Sequence, residues 1–396
     1  MPHFVVEPSR VSRLLFAALA TNAAGHSFIL VVLPGLARRL GFSDLQAGLL
    51  IGLSALAATC AAPIWGVAGD RGGRRRVVLV GLAAGAAFLA FAAVLVRWRF
   101  AGDIGVEAAF VALFCCRLVQ ACLGAGLMPA AQAIFADITA RDRRAGGMGL
   151  MGAAFGIGSI AGGALAWRMA AEGPTLALAL LAATVAIAAI GVALGLPETR
   201  GSGAVAPPQL CLARGIVRFL AVTLLALAAY AALQQVTVLR LQDGFGLPAD
   251  TAMRTGGAMM MSAMSAMVVG QMLLARRLAW PPRRLSRVGA VGAAACLAVA
   301  AVAPGLPLLF ATMAGVGLSL GLLLPGNLAQ ISLRAGEGQA VAGGINALAQ
   351  GLGMALGPIA GAMLHRISPQ APYLAAAVAL ACVALLTWRA PEPFAD

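Results

Sequence analysis

The sequence contains no lysine: all 28 of its basic residues are Arg, set against 14 acids over 396 residues, for a formal net charge of +14. Charge of any kind is scarce, at 11% of the chain against 61% hydrophobic residues and a mean hydropathy of +0.93. That much apolar surface exceeds what a soluble core can hide, so a bilayer has to be the solvent. There is no contiguous basic face either, because the arginines stand singly or in small groups between apolar spans, and this excludes a nucleic-acid partner. HExxH and clustered metal ligands are lacking, and His3, His26 and His365 lie far apart, which argues against an enzyme and predicts no metal site or cofactor. The seven Cys are odd in number and six of them fall inside apolar runs, so they read as small buried hydrophobes and not as a disulfide framework. No cleavable leader is expected, since residues 1–13 are polar and the first apolar run is too long for an h-region.

Apolar runs of spanning length are present at 14–36, 45–67, 77–96, 108–135, 148–169 and 176–196, and again at 219–239, 252–274, 288–303, 306–331, 340–364 and 373–388. The pattern predicts an all-α, polytopic membrane protein with twelve transmembrane helices in two six-helix bundles, residues 1–196 and 215–396. Between them, residues 197–214 hold Gly201, Gly203, Pro207 and Pro208, a composition suited to a flexible linker. With the N-terminus placed inside, the even-numbered loops, linker and termini carry 19 Arg and the odd-numbered loops 8. This bias predicts that both termini and the linker are cytoplasmic, in a cell inner membrane.

Residues 66–76 form a charged, glycine-rich loop between two spans. Its pattern, Gly66, Asp70-Arg71 and Gly73-Arg74-Arg75, resembles the signature loop between helices two and three of the major facilitator superfamily. The resemblance implies a gate in which Asp70 faces a helix N-terminus and Arg74 pairs with Asp137. An internal repeat points the same way. Gly126-Leu-Met-Pro129 returns as Gly321-Leu-Leu-Leu-Pro325, and the Gly158, Gly162, Gly163 segment returns as Gly357, Pro358, Gly361. Parallel repeats about an axis normal to the membrane are the arrangement of the two halves of such transporters. The glycines read as helix-packing surfaces and not as phosphate-binding turns, since no strand precedes them. The first glycine segment resembles the glycine-proline motif of antiporters, with Ser159 where that motif has Pro.

Deep ionisable groups are few: His26 in the first span and Arg117 in the fourth, with no acid at similar depth. An Arg at mid-bilayer costs roughly 2.5–3.5 kcal/mol on insertion scales, which calls for an aqueous cavity or a partner. Arg117 and Gln120 resemble the Arg-x-x-Gln motif of drug:proton antiporters. Asn22 with His26, Tyr230 with Gln234, and Asn346 with Gln350 are spaced i,i+4, and Asn327 lies on the tenth helix. The resemblance implies that helices one, four, seven and ten line a pathway, so these residues are candidates for substrate binding and proton coupling. For each, hydrogen bonding between helices is the plainer alternative. A run of methionines on the eighth span suits an amphiphilic substrate or plain packing. The expected function is proton-coupled efflux of a small organic compound by a monomer whose partners are substrate, protons and lipid. Proton-coupled uptake of a metabolite or metal chelate is the alternative, and a membrane-embedded enzyme or receptor the alternative of another class.

Overall fold

The computed structural model describes residues 8–138, 144–169, 173–198, 211–271, 280–335 and 339–388. These are helical, without strands: α1 (Pro8–Leu40), α2 (Asp44–Gly72), α3 (Arg74–Ala101), α4 (Val106–Gly124), α5 (Leu127–Ile138), α6 (Arg144–Met169), α7 (Pro174–Gly195), α8 (Cys211–Asp243), α9 (Ala249–Val269), α10 (Pro282–Ala301), α11 (Leu306–Ala335), α12 (Gln339–His365) and α13 (Ala371–Trp388). Eleven spans among the described residues are long and apolar enough to cross a membrane. The eighth of the twelve expected helices does form, as α9, but its Arg254, Thr251, Thr255 and serines dilute its apolar character.

The helices outrun their apolar runs because arginines are carried on the last turns and reach outward on long stems. At the end of α1, Arg39 lies 5.4 Å from the Phe100 ring centre, and Arg99 Nε donates to the Leu40 carbonyl at 3.0 Å. The short run at 288–303 starts earlier as α10, at Pro282, because the arginines ahead of it depress hydropathy without breaking a helix. Arg283 and Arg287 each donate to the Trp388 carbonyl at 2.9 Å.

The fourth span is broken between Gly124 and Leu127 into α4 and α5. Pro129 has no N–H to return to the Ala125 carbonyl, and two glycines lie just before it. Trp65 Nε1 donates to the Cys122 carbonyl at 2.6 Å, close to the interruption.

By contacts the chain divides into two compact units. One comprises Met1–Val32, Leu36–Phe42 and Ala57–Val205; the other comprises Leu33–Gly35, Ser43–Leu56 and Ala206–Asp396. In the first, α3 packs on α4, α5 and α7. The glycine face of α6 lies against α1: a Cβ on Gly158 would strike the Ala20 carbonyl, one on Gly162 the Ala24 carbonyl, and Ser27 Oγ donates to the Ser159 carbonyl at 2.9 Å. Gly163 is buried on the same helix.

The second unit repeats this arrangement between α12 and α8. Gly357 lies on the Ala228 carbonyl, and Gly361 is set against Ala232. The other side of α12 takes the start of α2, where a Cβ on Gly48 would come within 2.9 Å of the Pro358 carbonyl oxygen. Of the α9 methionines, Met253, Met259 and Met260 are buried, the first beside Gly35.

Candidate functional site

In the first unit, Asn22 and His26 from α1, Gly85 and Phe88 from α3, and Arg117 and Gln120 from α4 line one cavity of about 40 Å³. Four of the sequence-predicted residues are thus brought together. Arg117 is buried in an apolar helix, yet its charge is not bare. Nη1 donates to Gln120 Oε1, one turn away, and the guanidinium stands 5.1 Å from the centre of the Phe88 ring. Both contacts offset part of its desolvation while leaving it against the cavity. The cavity exists because α3 lacks side chains where α1 crosses it: a Cβ on Gly85 would lie 3.1 Å from Asn22 Oδ1. Its volume suits a few waters, which need about 10–15 Å³ each, and falls far below the roughly 300 Å³ of small-molecule pockets.

In the second unit, Tyr230 and Gln234 occupy the same places on α8 that Asn22 and His26 occupy on α1. Ala20 and Ala24, which carry the α6 glycines, bracket Asn22; Ala228 and Ala232, which carry the α12 glycines, bracket Tyr230. Gln234 Nε2 donates to the Tyr230 hydroxyl at 3.3 Å, and Gln234 Oε1 is buried without a partner. Asn327 and Asn346 belong to a separate buried network. Thr223 Oγ1 donates to Asn346 Oδ1 at 2.7 Å and accepts from Asn327 Nδ2 at 2.9 Å, and Asn327 Nδ2 also reaches the Phe219 carbonyl at 2.8 Å. Gln350 is exposed and takes no part in it.

Three residues of this unit escaped the sequence reading. Thr223 centres the network just described. Gln235 is fully buried with neither amide atom hydrogen-bonded, and Arg240 lies 4.3 Å from the Tyr373 ring centre while donating to the Ala301 carbonyl at 3.1 Å. For Gln235, a polar residue at mid-span was signal enough.

At the signature loop, Gly73 holds a φ of 106°, a region that glycine tolerates and other residues rarely adopt. It leaves the N-terminus of α3 without a side-chain cap of its own. Glu198, just past α7, supplies one by accepting the Arg75 N–H at 3.1 Å, while Arg75 Nη2 donates to the Ala193 carbonyl. The Arg76–Glu198 pair is looser, at 3.9 Å, with Arg76 74% exposed. Exposed pairs contribute about 0–1 kcal/mol and N-terminal caps about 0.5–2 kcal/mol, so capping dominates. Glu198→Ala is therefore expected to lower unfolding stability by about 1 kcal/mol with little salt dependence. Thermal melts at low and high ionic strength check this, and a loss that vanishes in high salt would assign the effect to the ion pair. Gly66 has open space around it and Arg71 is exposed. The side chains of Asp70 and Asp137 lie outside the described residues, and with them the expected Arg74–Asp137 contact.

Comparison with known proteins adds to this geometry. The tetracycline resistance protein, class C, of Escherichia coli is 34% identical over 175 residues, covering 42% of this chain and 41% of that protein, so the matched part spans well under half of it. Multidrug resistance protein 1 of Bacillus subtilis (strain 168) is 26% identical over 389 residues, 96% of each chain. Among solved structures, a bacterial homolog of the human lysosomal transporter Spinster, in an inward-facing and occupied conformation, superposes with a TM-score of 0.75 at 16% identity, covering 96% of each chain. A family model described as Major Facilitator Superfamily matches residues 15–358. The chain, with its signature loop, internal repeat and apolar helices, belongs to the Major Facilitator Superfamily and is a multi-pass membrane transporter, not an enzyme.

Proposed function

We propose that this transporter carries out proton-coupled efflux of a small organic or drug-like compound by alternating access, from an inner membrane with both termini cytoplasmic. The observation that carries the reading is the cavity shared by His26 and Arg117. Arg117 keeps its charge throughout any physiological cycle, whereas imidazole changes charge near neutral pH. A proton arriving at His26 meets the fixed cation of Arg117 across the shared cavity. Its occupancy is then sensitive to anything that screens Arg117, an anionic or strongly accepting substrate included. The cavity's small size supports a role in coupling, with the bulk of the substrate held elsewhere. The names of the tetracycline and multidrug resistance relatives support export as the direction. The arginine bias supports the orientation, and the monomer needs no cofactor beyond the proton gradient.

Everted vesicles carrying an imposed pH gradient test this. Compounds that are substrates should dissipate the gradient, and a gradient dissipated only by compounds moving in the opposite sense would mean uptake by symport. His26→Gln should still bind substrate and should lose the dependence of transport on the gradient. Unchanged pH dependence in that variant would move the proton site to another residue, with Asp137 the rival.

A further inference from the structure

Three helix ends converge in the second unit. Asp44 opens α2, Asp243 closes α8 and His365 closes α12, and one ligand atom from each lies within 4.8 Å of the other two. His365 is 5% exposed; its Nε2 is 2.8 Å from Asp243 Oδ2, and its Nδ1 is buried without a hydrogen-bond partner. Asp44 is not required as a helix cap, because Ser43 and Gln46 already form a capping box: the Ser43 N–H donates to Gln46 Oε1 at 2.8 Å and the Gln46 N–H to Ser43 Oγ at 3.1 Å. The last carbonyls of α8 make its C-terminus a poor place for the Asp243 carboxylate, and a second carboxylate within 4.8 Å adds repulsion. One imidazole nitrogen with two carboxylate oxygens is a donor set for a late first-row divalent cation.

We infer that Asp44, Asp243 and His365 form a binding site for a divalent transition-metal ion of the zinc type, with water completing the coordination. Ligand bonds of about 2.1 Å place tetrahedral donors about 3.4 Å apart, close to the present separations of up to 4.8 Å. The bound ion fastens the first turn of α2 to the ends of α8 and α12. The sequence reading predicted no metal site because the three donors are separated by most of the chain, and no spacing rule connects them. Binding is independent of the transport reading; only its consequence, slower transport with zinc on the side of the membrane where these ends lie, rests on it.

The test is titration of the purified full-length protein, free of any polyhistidine tag, with Zn²⁺ against a chromophoric chelator. The wild type should show one site, and Asp243→Asn, Asp44→Asn and His365→Gln should each weaken it at least tenfold. Asp243 is exposed, so Asp243→Asn keeps the test valid should His365→Gln fold poorly. Zinc should also raise the melting temperature of the wild type and leave that of Asp243→Asn unchanged. Equal zinc binding by the wild type and Asp243→Asn would overturn the inference, as would a site that disappears when the cysteines are replaced and survives the Asp243 change.

Discussion

Arg117→Ala is expected to abolish gradient-driven transport, lowering the rate by at least about tenfold, while the protein still inserts and purifies as a single species. The magnitude follows from what the side chain does. Hydrogen bonds to charged groups are worth about 1.5–3 kcal/mol, or roughly 10- to 100-fold in a rate or binding constant, and the Arg117–Gln120 bond is such a contact. Without the guanidinium, Gln120 loses its partner and the cavity loses its fixed charge. Folding should suffer less, because an Arg deep in a span is unfavourable by roughly 2.5–3.5 kcal/mol to begin with. Arg117→Lys separates charge from shape: a point charge keeps the field on His26 but gives up the planar stacking on Phe88 and leaves partial transport. Transport by Arg117→Ala at the parental rate, in vesicles with equal protein content, would reduce this residue to a structural tie.

Arg117, His26, Asn22 and Gln120 were legible in the sequence because a polar or ionisable group inside an apolar run stands out, and because i,i+3 and i,i+4 spacings put each pair on one side of its helix. Phe88 and Gly85, which complete the same cavity, were not. An aromatic or a glycine in an apolar, glycine-rich span gives no signal, and only the packing of α3 brings them to the site. The face rule is also coarse. Four residues advance a helix by about 400°, so a partner four positions on is turned by about 40°. That offset helps to separate buried Asn346 from exposed Gln350. Glu198 was missed as the cap of α3 because it is 123 residues from Arg75, and nothing local marks the pairing. Similarly, hydropathy located the fourth span but passed over its break at Ala125, since it records side-chain transfer and is blind to the hydrogen bond that Pro129 cannot make.

The glycines of α6 and α12 carry the other large expectation, one whose sign depends on position. In an exposed helix interior, Gly→Ala is favourable by about 1 kcal/mol through backbone entropy, and Gly152, with open space for 4 Å around the point a Cβ would occupy, should gain close to that amount. Gly162→Ala should do the opposite. The new methyl group would strike the Ala24 carbonyl and come within 3.0 Å of the Phe28 nitrogen, and these are backbone atoms that yield only if α1 itself moves. Overpacking of this kind costs about 1–3 kcal/mol, enough to exceed the entropy gain. Ala24 lies between Asn22 and His26, so the shift that relieves the clash displaces both from the cavity, and transport should fall along with the melting temperature. Gly357→Ala should act in the same way on α8, through the Ala228 carbonyl two residues before Tyr230. Melting curves of Gly152→Ala, Gly162→Ala and Gly357→Ala, set beside vesicle transport for each, decide the matter. Stabilisation by all three would mean that α1 and α8 are free to retreat from these glycines; destabilisation and loss of transport confined to Gly162 and Gly357 would establish that the glycine faces set the position of Asn22, His26 and Tyr230.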